Sequence, residues 1–117
     1  MFADYRVPQI LHHLRMLRYP ASLADKLHEH VPLAHGSREE VSIRAASVLA
    51  VERVRDEIER LVGEGKAQQP QTVEVTSVLI DFYLWDLAKD VESGVVSIEG
   101  IATNEILPAH RTRSIWY

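Results

Sequence analysis

Asp81 and Asp86 stand in the most apolar stretch of this 117-residue chain, Val78-Leu79-Ile80-Asp81-Phe82-Tyr83-Leu84-Trp85-Asp86-Leu87-Ala88. An unpartnered carboxylate buried there costs several kcal/mol or takes up a proton. A stretch that only had to fill a core would not carry two of them, so it is expected to form the wall of a pocket, with both aspartates facing a ligand. In helical geometry the two side chains lie about 140° and roughly 7–8 Å apart along the axis. They share a broad side of the helix without sharing one stripe. Phe82 sits one turn before Asp86, and Trp85 one turn after Asp81, so each carboxylate has an aromatic neighbour. That pairing suits a flat ring held beside a developing positive charge. The plainer alternative is an ordinary amphipathic helix with both aspartates in water.

A third carboxylate, Asp4, stands near the start of the chain, flanked by Phe2 and Tyr5. Three carboxylates accompanied by Phe2, Tyr5, Phe82 and Trp85 suit a nitrogenous ring with an attached sugar. Carboxylates accept hydrogen bonds from ring N–H, amino and ribose hydroxyl groups. One of them can also stabilise an oxocarbenium-like transition state and orient or deprotonate water, the logic of glycosidic hydrolysis.

Helices must position these groups. Val7, Ile10, Leu11, Leu14 and Leu17 repeat at helical spacing, with Pro8 tolerated in the first turn. Phe2 to Arg6 leads into that helix and displays Asp4 and Arg6 near the positive end of its dipole; Tyr19-Pro20 closes it. Ser22, three residues before Asp25, is the expected cap of a short second helix over about Leu23 to His30. Ser37-Arg-Glu-Glu40 reads as a capping box opening a long third helix that ends at Gly63 and Gly65. Gly63 to Gln71 reads as a surface loop. A fourth helix, from about Thr72 or Val75 to Val91, is apolar nearly all round and is expected to be the most buried element. Val95 to Ile101 has strand-like composition but no partner strand, so a loop is expected. The tail from Pro108 to Tyr117 is basic, then aromatic, and is expected to pack back on the helices. The expected fold is therefore all-α: one domain over residues 1–117, a compact bundle of about four main helices with a packed C-terminal tail.

Composition narrows the function classes. Hydrophobic residues make up 46% and charged residues 26%, the balance of a soluble globular domain. A net charge of −4 gives no reason to expect direct binding of nucleic acid. No apolar run approaches a bilayer span, so no membrane partner is expected. With no cysteine and no signal-peptide pattern at the N-terminus, a cytoplasmic location is expected. The opening residues read as though the chain begins in the middle of something. Six histidines raise the question of a metal. His28 and His30 cannot share a helix face, His12 and His13 diverge, and no His-Glu-x-x-His is present, so neither metal nor cofactor is expected. Arg6, Arg111 and Arg113 are candidates to contact a phosphate.

Several stretches together resemble the queuosine salvage proteins, queuosine 5′-phosphate N-glycosylase/hydrolases. These are Phe2-Ala-Asp-Tyr-Arg-Val-Pro-Gln9, Ser37-Arg-Glu-Glu-Val-Ser-Ile-Arg-Ala45, Leu79-Ile-Asp-Phe-Tyr-Leu-Trp-Asp86 and His110-Arg-Thr-Arg-Ser-Ile-Trp-Tyr117. The resemblance covers nearly the whole chain, but only the C-terminal third or so of a typical family member. It implies an all-helical fold similar to part of the helix-hairpin-helix DNA glycosylases. It also implies cleavage of the N-glycosidic bond of queuosine 5′-monophosphate, releasing queuine for tRNA modification. Phe2 and Asp4 match positions that hold the base, Asp81 and Phe82 match ligand-contacting positions, and Asp86 is assigned as the catalytic carboxylate, assisted by Asp81, with the resemblance leaving Asp81 as the alternative for that role. Where the family usually has Tyr, this chain has Phe82, which removes a hydroxyl contact. The N-terminal part of the family supplies a histidine and much of the pocket wall, so a missing portion or a second chain is expected to complete the site. The alternative reading is a non-catalytic helical fragment or interaction module with an exposed apolar patch where that portion would dock.

Overall fold

The computed structural model describes residues 4–68 and 74–113. They form four helices: α1 (Arg6–His13), α2 (Ala21–His28), α3 (Arg38–Gly63) and α4 (Ser77–Glu92). Among the described residues there is no strand, and Val95 to Ile101 runs as irregular chain. No helix among them is long and apolar enough to cross a membrane.

α3 is the frame. Its 26 residues give a rod about 39 Å long. At its start the Ser37 hydroxyl accepts a hydrogen bond from the Glu40 amide at 3.3 Å, as the capping box predicts. The Glu40 carboxylate does not return to the Ser37 amide. It accepts from the Gly36 amide at 3.1 Å and from Arg44 Nη1 at 3.3 Å, and it is fully buried. The helix stops at Gly63, and the chain turns away where Gly65 takes a φ of 72°, open to glycine at little cost.

Two apolar clusters sit along this rod. Val7, Ile10 and Leu11 of α1 pack with Val51 of α3 and with Ile80, Leu84 and Ala88 of α4. Leu23 and Leu27 of α2, Leu33, Ile43 near the start of α3 and Leu107 of the C-terminal segment make the second. The more extensive helix pairing is α1 on α4, which sets the position of the candidate site.

Three boundaries differ from the sequence-based expectation. α1 ends at His13 rather than running to Leu17, because Arg15 adopts a left-handed φ of 61°; Leu14 and Leu17 still pack against the core from the turn that follows. α2 begins at Ala21 with Pro20 as its extended cap, so Ser22 lies inside the helix and does not cap it. α4 starts at Ser77, where the Thr76 hydroxyl accepts from the Leu79 amide at 3.3 Å.

The larger correction concerns burial. α4 is not the most buried helix. Ile80, Asp81, Leu84 and Ala88 face inward, but Val78, Leu79, Phe82 and Tyr83 are exposed. α3 and α1 cover only one side of α4, and its apolar residues extend round to the other.

The segment after α4 is held by side chains rather than by ladders. Asn104 donates from its amide to the His13 carbonyl at 2.8 Å and from Nδ2 to the His12 carbonyl at 2.9 Å, satisfying the open end of α1. Gln9 Nε2 donates to the Leu107 carbonyl at 3.0 Å, and the Leu33 amide donates to the Arg111 carbonyl at 2.7 Å. The tail therefore packs back through His110 and Arg111, as expected. Residues 114–117, its Ser-Ile-Trp-Tyr end, lie outside the described residues.

Candidate active site

The site lies where the start of α1 meets the middle of α4. Asp4, Asp81, Phe82, Trp85 and Asp86 line one cavity of about 290 Å³. That volume stands at the lower edge of ordinary ligand pockets and holds a bicyclic base more readily than a whole nucleotide.

Asp4 is there because α1 needs a cap. Tyr5 caps nothing with its side chain. Asp4 Oδ1 instead accepts from the Arg6 amide at 2.9 Å and the Val7 amide at 3.1 Å, satisfying two donors at the positive end of the helix. Burial pushes the Asp4 carboxyl above its ordinary range. The two backbone donors and the Arg6 charge pull against that, while the neighbouring Asp81 charge adds to it. The balance leaves Asp4 holding a proton more tightly than an ordinary carboxyl does.

Asp81 is placed by periodicity. It shares the inward stripe of α4 with Leu84 and Ala88, at i, i+3 and i+7, and is only 6% exposed. Asp86 falls on another side of the helix and is exposed, at the rim of the cavity. Phe82, one turn before it, is 60% exposed. Trp85 is half-buried and held between two cations: Arg6 at 5.4 Å and Lys89 at 4.8 Å from its ring. Arg6 also lies 5.6 Å from the Tyr5 ring and pairs with Glu92 at 3.3 Å. Glu92 accepts in addition from Gln9 Nε2 at 2.8 Å. Arg6, Gln9, Lys89 and Glu92 form a frame behind Trp85.

Of the residues singled out from the sequence, Asp4, Asp81, Phe82 and Asp86 line the same cavity, with Trp85 beside them. Phe2 lies outside the described residues. Arg6 is engaged with Glu92 and two aromatic rings. Arg111 and Arg113 line a separate hollow with Pro32 to His35, not the acid cavity. The frame behind Trp85 was missed, apart from Arg6. Lys89 was within reach of helical spacing, one turn after Trp85, whereas the Gln9 and Glu92 contact joins positions far apart in the chain. Among the described residues, no group of three or more His, Asp or Glu side chains is arranged to hold a metal ion.

The family described as queuosine salvage protein matches residues 1–117, the whole chain. The chain belongs to the queuosine salvage protein family. Its relatives include a Bos taurus protein named queuosine 5′-phosphate N-glycosylase/hydrolase, 41% identical over 117 residues. Proteins of the same name from Mus musculus and Sphaerobacter thermophilus are each 39% identical, over 117 and 116 residues. These matches take in 100%, 100% and 99% of this chain but only 31%, 31% and 29% of the relatives. The chain therefore spans about three-tenths of the length of the family members it matches.

Proposed function

We propose that this chain carries the acid-lined part of a site that hydrolyses the N-glycosidic bond of queuosine 5′-monophosphate and releases queuine. The observation that carries the reading is the cavity itself: Asp4, just before α1, opens onto Asp81 and Asp86 of α4, with Phe82 and Trp85 beside them. Membership of a family whose relatives bear the glycosylase/hydrolase name supports the choice of substrate.

In this reading the bond from ribose C1′ to the base nitrogen breaks and its electron pair leaves with the base. The ribose carbon becomes cationic, and the Asp86 carboxylate stabilises it and orients the attacking water, assisted by Asp81. Water adds its oxygen to C1′ and gives up a proton. The departing base takes up a proton, and Asp4, placed in the cavity and holding a proton more tightly than an ordinary carboxyl, exchanges it. Asp4 holds the base, with Phe2 as the expected second contact, and Phe82 or Trp85 lines the ring or sugar. The partner is the small nucleotide, the location is the cytosol, and neither metal nor cofactor enters these steps.

Because Asp86 and Phe82 are exposed, the reading requires a cover that excludes water, supplied by further chain of the family protein or by a second chain. The test is release of queuine from queuosine 5′-monophosphate by the chain together with that further part. Asp86→Asn is expected to lower turnover by about 10²–10³-fold. Full turnover in Asp86→Asn and Asp81→Asn would remove both assignments.

A second reading, a non-catalytic helical module that only binds a partner, is favoured by the exposed apolar side of α4. It predicts assembly with a partner but no queuine under any condition.

A further inference from the structure

We infer that Glu92 is a positioning residue: by holding the Arg6 guanidinium behind Trp85 it keeps that cation out of the acid cavity, so that the cavity presents its negative charge to a ligand. What the charge is for rests on the proposed reaction. Where Arg6 stands does not, and the two can fail separately.

Arg6 is well placed to spoil the cavity. It follows Asp4 by two residues, its amide donates to Asp4 Oδ1 at 2.9 Å, and its charge is felt at that carboxyl. Its guanidinium stands 5.4 Å from the ring of Trp85, which lines the cavity with Asp4, Asp81, Phe82 and Asp86. An arginine beside several carboxylates pairs with them strongly, through a planar fork that meets one carboxylate at two points. An aspartate paired in that way has its charge already balanced and does little for a second positive centre. Here the ion pair of Arg6 is with Glu92 instead, from Nη1 at 3.3 Å.

Fastening α1 to α4 does not account for this contact. Glu92 is the last residue of α4, where the helix dipole disfavours an acid. Its side chain is half open to water, so the pair adds little stability. The Glu92 carboxylate is nevertheless fixed. Gln9, buried to 4% exposure, donates to the same Oε2 at 2.8 Å and is itself anchored on the Leu107 carbonyl at 3.0 Å. A weak ion pair held by a buried side chain suits the placing of a charge better than the strengthening of a fold. Lys89, the other cation at Trp85, is exposed and has water as its alternative. The Arg6 side chain is only 23% exposed, and its alternative is the cavity.

Glu92→Gln keeps an acceptor for Gln9 and removes the charge that holds Arg6. Carbon NMR of the Asp4 carboxyl in the full 117-residue chain reads where the guanidinium goes. In Glu92→Gln the titration midpoint of Asp4 is expected to fall by about one pH unit or more, as a cation closes on the cavity. Arg6→Gln combined with Glu92→Gln is expected to abolish that fall. Glu64→Gln, which removes an exposed partner of Arg60, is expected to leave the midpoint unchanged. Circular dichroism checks that each variant folds. In the enzyme completed as for the queuine assay, Glu92→Gln is expected to lower kcat about tenfold, and the double variant to regain most of the loss. A midpoint in Glu92→Gln equal to that of the parent overturns the inference, as does a fall that persists without Arg6. Queuine release at the parent rate by Glu92→Gln overturns it too. An enzyme that releases no queuine, while the midpoints move as expected, leaves Arg6 placed by Glu92 and removes only the proposed reaction.

Discussion

α1 and α4 meet across the acid cavity, yet they spend their apolar residues in opposite ways. α1 has eight residues, and Val7, Ile10 and Leu11 are wholly buried. α4 has twice that length and a far more apolar sequence, but it leaves Val78, Leu79, Phe82 and Tyr83 in water. Apolar composition therefore measures how much surface a helix seeks to cover, and only contacts show where the cover comes from. α1 finds all of its cover within this chain, and α4 finds half.

The contrast is sharpest in truncations. Ile10→Ala removes a fully enclosed side chain and is expected to lower stability by about 2–5 kcal/mol. Tyr83→Ala, on the open side of α4, is expected to change it by no more than about 0.5 kcal/mol. Thermal unfolding of the two variants checks this; equal losses would mean that α4 is packed on both sides. Next in size is the cap. Asp4→Ala deprives the Arg6 and Val7 amides of their acceptor and is expected to cost about 1 kcal/mol. Asp4→Asn keeps an acceptor oxygen and removes the charge, so it should unfold close to the parent while failing to bind the base. Similar binding by parent and Asn variant would return Asp4 to a purely structural role.

The smallest expected effect is acid sensitivity, and it falls on α1 and the tail rather than on α4, which has no histidine. Burial lowers the His12 pKa, helped by the His13 charge. Burial also lowers the His110 pKa, with Glu40 opposing and Arg44 assisting. A histidine whose folded pKa is depressed contributes stability that is present above its ordinary value, about 6.5, and is lost as pH falls through the folded value. Asp4, with its pKa raised, acts in the other direction: its charge burdens the fold at neutral pH and is relieved in acid. The histidines and Asp4 thus pull in opposite directions as pH falls, and two histidines stand against one carboxyl. Melting temperature is expected to drop between about pH 7.5 and 5.5, and His12→Gln to flatten that drop. An unchanged slope would place the sensitivity elsewhere.

Much of this architecture was readable from local chemistry. Ser37 and Glu40 announced α3, Gly63 and Gly65 its end, and Pro8 the early position of α1. The cavity was signposted by charge in apolar company: Asp81 and Asp86 stand among Leu, Phe and Trp, and both line it with Asp4, Asp81 buried and Asp86 exposed at the rim. What escaped depends on tertiary contact. Nothing local shows that Arg15 turns left-handed and cuts α1 short, that Glu40 turns to Gly36 and Arg44, or that Glu92 joins Gln9 and Arg6 behind Trp85. The misjudged burial of α4 has the same origin: periodicity shows which residues are greasy and is silent on which neighbours exist.

Asn104 fastens the end of α1 and Leu107 its middle, through Gln9, and this has a consequence for how the protein is made. A helix of eight residues scarcely holds in water by itself. α1 precedes its anchors in the chain by some ninety residues, so it gains them only once Asn104 and Leu107 have been made, and Asp4 waits with it. A nascent chain stalled before Asn104 therefore carries Asp4, Asp81 and Asp86 without the contacts that fasten α1 beside α4.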